Sequence, residues 1–313
     1  MHREVRLFTV VGWLLAGVVL AAVVAEIVLR LARRESGAPV LAGLRHETSS
    51  LGDLAGRDVA LALGDSITYG HSLEYSQAWP HILEQGLGTG TAAPIAVVNA
   101  GAEGQTSVMA LRDAPWLLSR FRPRVVLISF GLNDGNLSRS HLDDDRETQA
   151  VPPPWLRALR QSRLLRAAES RLRRWIHRRR LIEGRLLDNR LEPRVSPGNL
   201  RRALTELVRL ARRAGASSVW LLTMTPLSAG FASGENPEIV SRLGQSYARC
   251  NQEIREAARA SGAGLIAVDR EFVASPETVE LDGVHLTAAG EAQLAGIVLR
   301  ALEAGAVTGT GAR

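Results

Sequence analysis

Lysine is missing from this sequence altogether, so all 38 of its basic side chains are arginine. The absence removes whole chemistries. A phosphate-binding loop with its lysine, a pyridoxal Schiff base and a Ser-x-x-Lys acylation site each need an amine that the chain does not have. Cysteine is nearly missing too: Cys250 is the single thiol, so no intramolecular disulfide can form and the fold must rest on its core. Its setting, YARCNQEIREAA, reads as mid-helix, which makes it a buried structural thiol rather than a nucleophile. Aromatic residues make up only 4% of the chain. Trp155 and Trp175 are the only large rings interleaved with its arginine-rich stretch, too few to stack bases, so no nucleic-acid partner is expected. His2, His46, His71, His81, His141 and His177 show no metal-ligand spacing with one another and read as surface or local structural groups. No metal or cofactor is expected.

What is present is a folded protein with appendages. A length of 313 residues and an apolar content of 46% suit one sizeable domain with additions, or two small ones. The net charge of +6 is unevenly placed: Arg157 to Arg194 holds 13 arginines against four acids, a local +9, which leaves the rest of the chain at −3. A basic segment on a mildly acidic body points to local contact with an anionic surface.

From Leu7 to Leu29 the sequence carries one charge, Glu26, and at helical rise it is long enough to cross a bilayer. We read it as a membrane anchor. A cleaved signal peptide and a buried core helix are the rivals; against the first, the run exceeds the usual signal core and Val23-Val24-Ala25 is a poor cleavage site. Arg3 and Arg6 precede the span and Arg30, Arg33 and Arg34 follow it, so charge gives no vote on orientation. The working expectation is a single-pass protein with its domain on the envelope side.

Beyond a linker rich in small residues, five short apolar runs alternate with helical stretches. The runs are Val59–Leu63, Ile95–Val98, Val125–Phe130, Ser218–Met224 and Leu265–Val268. The helical stretches are Trp79–Gln85, Ser107–Leu118, Pro197–Arg213, Ile239–Ser261 and Thr287–Glu303. Alternation of this kind predicts a parallel sheet covered on both faces, a three-layer α/β/α sandwich. Asn136–Ser196 interrupts the alternation and is too long for an ordinary connection, so it reads as a lid or an extra helical subdomain. Within it Leu165, Ala168, Leu172, Trp175 and Ile176 make one apolar stripe. That stripe packs either on the domain or, with its arginines, on an anionic membrane surface.

Ester cleavage by a serine needs an activated hydroxyl, a base, a carboxylate to orient the base, and donors for the oxyanion. The chain offers a candidate for each. Ser66, in LALGDSITYG, follows an apolar strand at the edge where open parallel sheets place their sites; the same serine would also serve as a helix cap. Asp282 and His285 occur as DGVH, a spacing that lets the carboxylate turn back onto the ring's Nδ1 while Nε2 faces the serine. His285 is expected to open the last helix. With the N–H of Ser66, the Gly104 N–H in NAGAEGQT and the Asn133 amide in GLND complete a set of oxyanion donors, although Gly104 is equally a turn glycine and Asn133 a helix cap. All four motifs are expected at one end of the predicted sheet.

GDSIT at 64–68, NAGAEGQT at 99–106, GLND at 131–134 and DGVH at 282–285 resemble, in order and approximate spacing, the four sequence blocks of the SGNH (GDSL-like) hydrolase superfamily. The resemblance runs from about Val59 to Leu299. It implies Ser66 as nucleophile, Asp282 and His285 as its partners, and Ser66, Gly104 and Asn133 as oxyanion hole. It also implies a flavodoxin-like five-stranded sheet in the order 2-1-3-4-5. The serine is not in a G-x-S-x-G elbow, which disfavours the α/β-hydrolase fold. The organisation expected is an anchor at 1–34, a linker at 35–58, the domain at 59–304 with its insertion at 136–196, and a flexible tail at 305–313. The expected partners are an ester substrate (an acetylated glycan, a lipid or a small ester) and a membrane. An O-acyltransferase and a tethered domain that has lost activity are the alternatives.

Overall fold

The computed structural model describes residues 54, 56–88, 95–138, 192–228, 237–280 and 282–308. The apolar stretch Leu7–Leu29, most of the 35–58 linker and the body of the insertion with its apolar stripe lie outside the described residues. Among the described residues no helix is long and apolar enough to cross a membrane.

Five parallel strands form the main sheet: β1 (Val59–Gly64), β2 (Ala96–Gly101), β3 (Val125–Ser129), β6 (Ser218–Leu222) and β7 (Gly264–Ile266). A separate antiparallel pair, β4 (Leu137–Ser138) and β5 (Glu192–Pro193), closes the root of the insertion. The main sheet runs β2-β1-β3-β6-β7. In chain numbering this differs from the expected 2-1-3-4-5, because the two short strands at the insertion root were not anticipated and stand between the third and fourth strands of the sheet.

The helices are α1 (Ser66–Tyr69), α2 (Trp79–Gly88), α3 (Ser107–Phe121), α4 (Leu132–Gly135), α5 (Pro197–Arg213), α6 (Pro237–Ser261), α7 (Val268–Glu271) and α8 (Ala288–Thr308). Every residue of β1 is buried, and its pleat divides the core. Leu61 and Leu63 join a cluster with Leu118 of α3, Leu200 and Leu204 of α5 and Ile254 of α6. Ala60 and Ala62 point the other way, into a cluster with Trp79 of α2 and Leu294 and Val298 of α8. The small side chains of β1 thus face the layer that buries the large indole. In α5, Leu200, Leu204, Leu207 and Ala211 are buried at helical spacing, Pro197 opens the helix, and Arg212 and Arg213 close it. Cys250 is buried in the middle of α6, and burial pushes its thiol well above the usual range, consistent with an inert packing residue.

Several boundaries depart from expectation. β2 continues through Asn99, Ala100 and Gly101, which pair with Ala62, Leu63 and Gly64. Asparagine disfavours strands, but here its amide is fully used: Nδ2 donates to Thr68 O (2.8 Å) and Oδ1 accepts from Gly101 N (2.9 Å). At the far edge Val268 leaves the sheet and opens α7. At the C-terminus α8 extends to Thr308, so the first residues of the expected tail are helical, and Gly305 lies where an added Cβ would meet the Trp220 ring at 2.6 Å.

Gly101 allows the first helix to dock directly on the sheet. A Cβ there would fall 2.6 Å from Thr68 C and closer still to Tyr69 N, both backbone atoms of α1. Gly101→Ala is therefore expected to destabilise the domain by about 1–3 kcal/mol through overpacking. It should also slow any chemistry that depends on Ser66, which begins α1. Thermal unfolding and ester turnover measured on the same preparation check both effects.

Candidate active site

The register brings the motif-bearing loops to one edge. Gly64, the last residue of β1, lies opposite Gly101 of β2 and Ser129 of β3, so the segments holding Ser66, Gly104 and Asn133 leave the carboxyl ends of three adjacent strands side by side. Ser66 is the first residue of α1 and is buried; Asp65 caps that helix by accepting from Ile67 N (3.0 Å). The cap is thus the aspartate before the serine, which leaves the Ser66 hydroxyl for other work.

The imidazole of His285 supplies the partner. Its Nε2 lies 3.0 Å from Ser66 Oγ, although 219 residues separate the two. Its Nδ1 lies 2.5 Å from Asp282 Oδ2, and Asp282 Oδ1 accepts from the backbone N–H of Val284 and of His285, each at 2.9 Å. Burial tends to raise the Asp282 carboxyl. The His285 ring and the two backbone donors outweigh it and hold the carboxyl below its ordinary value, so the carboxylate stays charged. His285 does not open the last helix as expected: α8 starts at Ala288, and His285 sits in the preceding turn. There its carbonyl accepts from Glu280 N (2.7 Å), and Gly283 adopts a left-handed φ of 75°. That turn, rather than a helix terminus, aims the ring.

The donor candidates sit in different settings. Gly104 has a left-handed φ of 71°, and an added Cβ would meet nothing within 4 Å. The glycine is therefore required by backbone conformation, not by crowding. Among the described residues its N–H has no protein acceptor. Asn133, on α4, donates from Nδ2 to Gln105 O (3.2 Å), so its amide nitrogen faces the Gly104 loop. It is not a helix cap; Gly131 occupies that position.

Several residues at the site carry no motif in the sequence. His71, expected as a surface or local group, stacks on His285 with ring centroids 4.1 Å apart and places Nδ1 2.8 Å from Glu103 Oε1. The backbone N–H of His71 donates to Ser66 O (3.1 Å). The available signal was proximity, since His71 lies five residues after Ser66 and Glu103 immediately before Gly104. Asp134 is fully buried, and its Oδ1 accepts from Ser107 N (3.0 Å) and Ser107 Oγ (2.5 Å), which ties α4 to the first turn of α3.

Two buried carboxyls beneath the site titrate high. Burial raises Asp65 to about 7, with a further push from Asp134, against the opposing hydrogen bond from Ile67. Burial likewise raises Asp134 to about 6, against hydrogen bonds from Ser107 and the charge of Arg194. Both groups bind a proton more tightly folded than unfolded, so the stability they contribute falls as pH rises from their unfolded value of 3.8 through about 6 to 7. Asp134→Asn keeps an oxygen for Ser107 without the charge. Its stability relative to the unsubstituted protein is expected to rise between pH 5 and pH 8. Thermal unfolding across that range checks this, and a difference independent of pH would contradict it.

Comparison with known proteins follows the same lines. Residues 62–293, more than half of the chain, match the sequence model described as the GDSL-like Lipase/Acylhydrolase family. The chain is 41% identical over 81 residues to Thioesterase 1/protease 1/lysophospholipase L1 of Escherichia coli strain K12, a stretch that covers 26% of this chain and 37% of that protein. It is 35% identical over 75 residues to the Arylesterase of Vibrio mimicus, covering 24% of this chain and 37% of that one. The chain thus spans well under two thirds of the length of these curated relatives. Among solved structures, the lipase/acylhydrolase from Enterococcus faecalis superposes with a TM-score of 0.52 at 16% identity, over 79% of this chain and 96% of that one, a likeness of fold.

Proposed function

Because the chain belongs to the GDSL-like lipase/acylhydrolase family, we propose that it is a carboxylic ester hydrolase in which Ser66, His285 and Asp282 form a catalytic triad. The observation that carries the reading is the unbroken line from Asp282 Oδ2 to His285 Nδ1 at 2.5 Å and from His285 Nε2 to Ser66 Oγ at 3.0 Å. His285 takes the Ser66 proton as Oγ attacks the ester carbonyl, and the tetrahedral oxyanion forms beside the N–H groups of Ser66 and Gly104 and the Asn133 amide. The same imidazole then protonates the leaving alcohol. An acyl group remains on Ser66 until water, deprotonated by His285, attacks it; collapse of the second intermediate releases the acid and restores the hydroxyl.

Names of the relatives support esters as the substrate class. The apolar stretch Leu7–Leu29 supports a membrane-tethered location; with the domain on the envelope side, O-acetyl groups of glycans and lipid esters would be within reach. Rapid mixing with a series of p-nitrophenyl esters tests the reaction. The expected result is a burst of nitrophenol equal to the enzyme concentration, followed by steady release of free acid. Transfer of the acyl group to an added glycan in preference to water would instead assign an acyltransferase. Absence of both burst and turnover across the series would overturn the reading.

A further inference from the structure

We propose that Arg194, at the exit of the arginine-rich insertion, is a positioning residue that fixes the Asn133 amide for oxyanion binding. The inference rests on the proposed ester chemistry. A primary amide has two ends of nearly equal size, and only Nδ2 can donate to an oxyanion. What selects the orientation of Asn133 is the chemistry on either side. Gln105 O accepts from Nδ2 at 3.2 Å, and Arg194 Nη1 donates to Oδ1 at 3.5 Å. The reversed amide would set N–H against guanidinium N–H and oxygen against carbonyl oxygen, both repulsive. With Oδ1 engaged by the arginine, one Nδ2 hydrogen serves Gln105 and the second is left for the substrate. A cation on Oδ1 also polarises the amide and strengthens that second donor.

The same guanidinium reaches the other loop donor. Its Nη2 donates to Gly104 O at 3.4 Å, so one planar fork spans Asn133 and Gly104. The arginine is held from behind by backbone: Arg194 N donates to Asn136 O (2.9 Å) and Val195 N to Asp134 O (3.1 Å), which clips this segment to α4, the helix that carries Asn133. Its charge further acts on the buried Asp134 carboxyl, holding it lower than burial alone would. Arginine is suited to the place because it cannot lose its proton and its planar fork holds two N–H groups in fixed directions toward the two oxygens, whereas a lysine ammonium is a point charge on a flexible stem that fixes neither.

An effect exerted through the oxyanion donor belongs to the transition state and should appear in kcat rather than KM. Removing an oxyanion donor costs about 10²–10³ in kcat, and loosening one should cost part of that. In the full chain, Arg194→Gln is expected to lower kcat about 10- to 100-fold with KM nearly unchanged. Arg194→Lys should behave alike, since the charge remains but the fork does not. In an Asn133→Ala background, Arg194→Gln should lower kcat by less than about threefold further, because residues that act as a unit do not add. Millimolar guanidinium should restore part of the loss in Arg194→Gln alone. Multiplication of the two single losses in the double variant, a change confined to KM, or full activity of Arg194→Gln beside an impaired Asn133→Ala would each overturn the role of Arg194. Undiminished activity of Asn133→Ala would instead sink the oxyanion-hole assignment on which it stands.

Discussion

Ser66→Ala is expected to lower kcat for a short p-nitrophenyl ester by about 10⁶-fold, the scale of nucleophile loss in serine hydrolases. The hydroxyl is buried and directed at His285 Nε2, so replacing it by hydrogen removes the attacking atom without disturbing the backbone of α1. Gly104 and Asn133 remain in place, and with them a residual rate about 10³- to 10⁴-fold above the uncatalysed reaction. The melting temperature should be unchanged. Steady-state kinetics and thermal unfolding of one preparation distinguish this outcome from misfolding.

Asp282→Asn is expected to cost about 10⁴-fold in kcat, by analogy with the equivalent change in another serine hydrolase. In the proposed mechanism the carboxylate does two things. It accepts a hydrogen bond from Nδ1–H at 2.5 Å, which leaves Nε2 as the acceptor that Ser66 needs, and it would stabilise the imidazolium formed when the serine proton moves to the ring. An asparagine whose Oδ1 keeps the backbone N–H groups of Val284 and His285 turns its NH₂ toward the ring. The ring then takes the opposite tautomer, and Nε2 carries the proton that it should accept. Binding contacts are untouched, so KM should change little while kcat collapses. A loss in KM alone would place Asp282 outside the proton path.

Much of this was legible in the sequence, for identifiable reasons. β1 and β3 are continuous apolar runs bounded by glycine or polar residues, and the sheet they build is buried on both faces, so composition and length locate them. Ser66, Asp282 and His285 stand in motifs whose spacing already specifies a turn. What was not legible depends on partners far away in the chain. Asn99 extends β2 because Thr68 occupies its side chain, a tertiary use that overrides strand propensity. His71 looked like any polar turn residue, and only the docking of the 282–285 turn sets His285 against it at 4.1 Å. Arg194 was hidden among 13 arginines, and only the pairing of β4 with β5 sets it apart from the rest. The short helices α4 and α7 are single turns, below the length at which hydrophobic periodicity carries a signal.

The central claim is that Ser66 Oγ becomes acylated. Treating the protein with a fluorophosphonate ester and mapping the adduct by peptide mass spectrometry tests it most directly. The account predicts one phosphonyl group per chain, on Ser66, and no labelling in Ser66→Ala. A label on another residue, or ester turnover that persists while Ser66 stays unmodified, would contradict it.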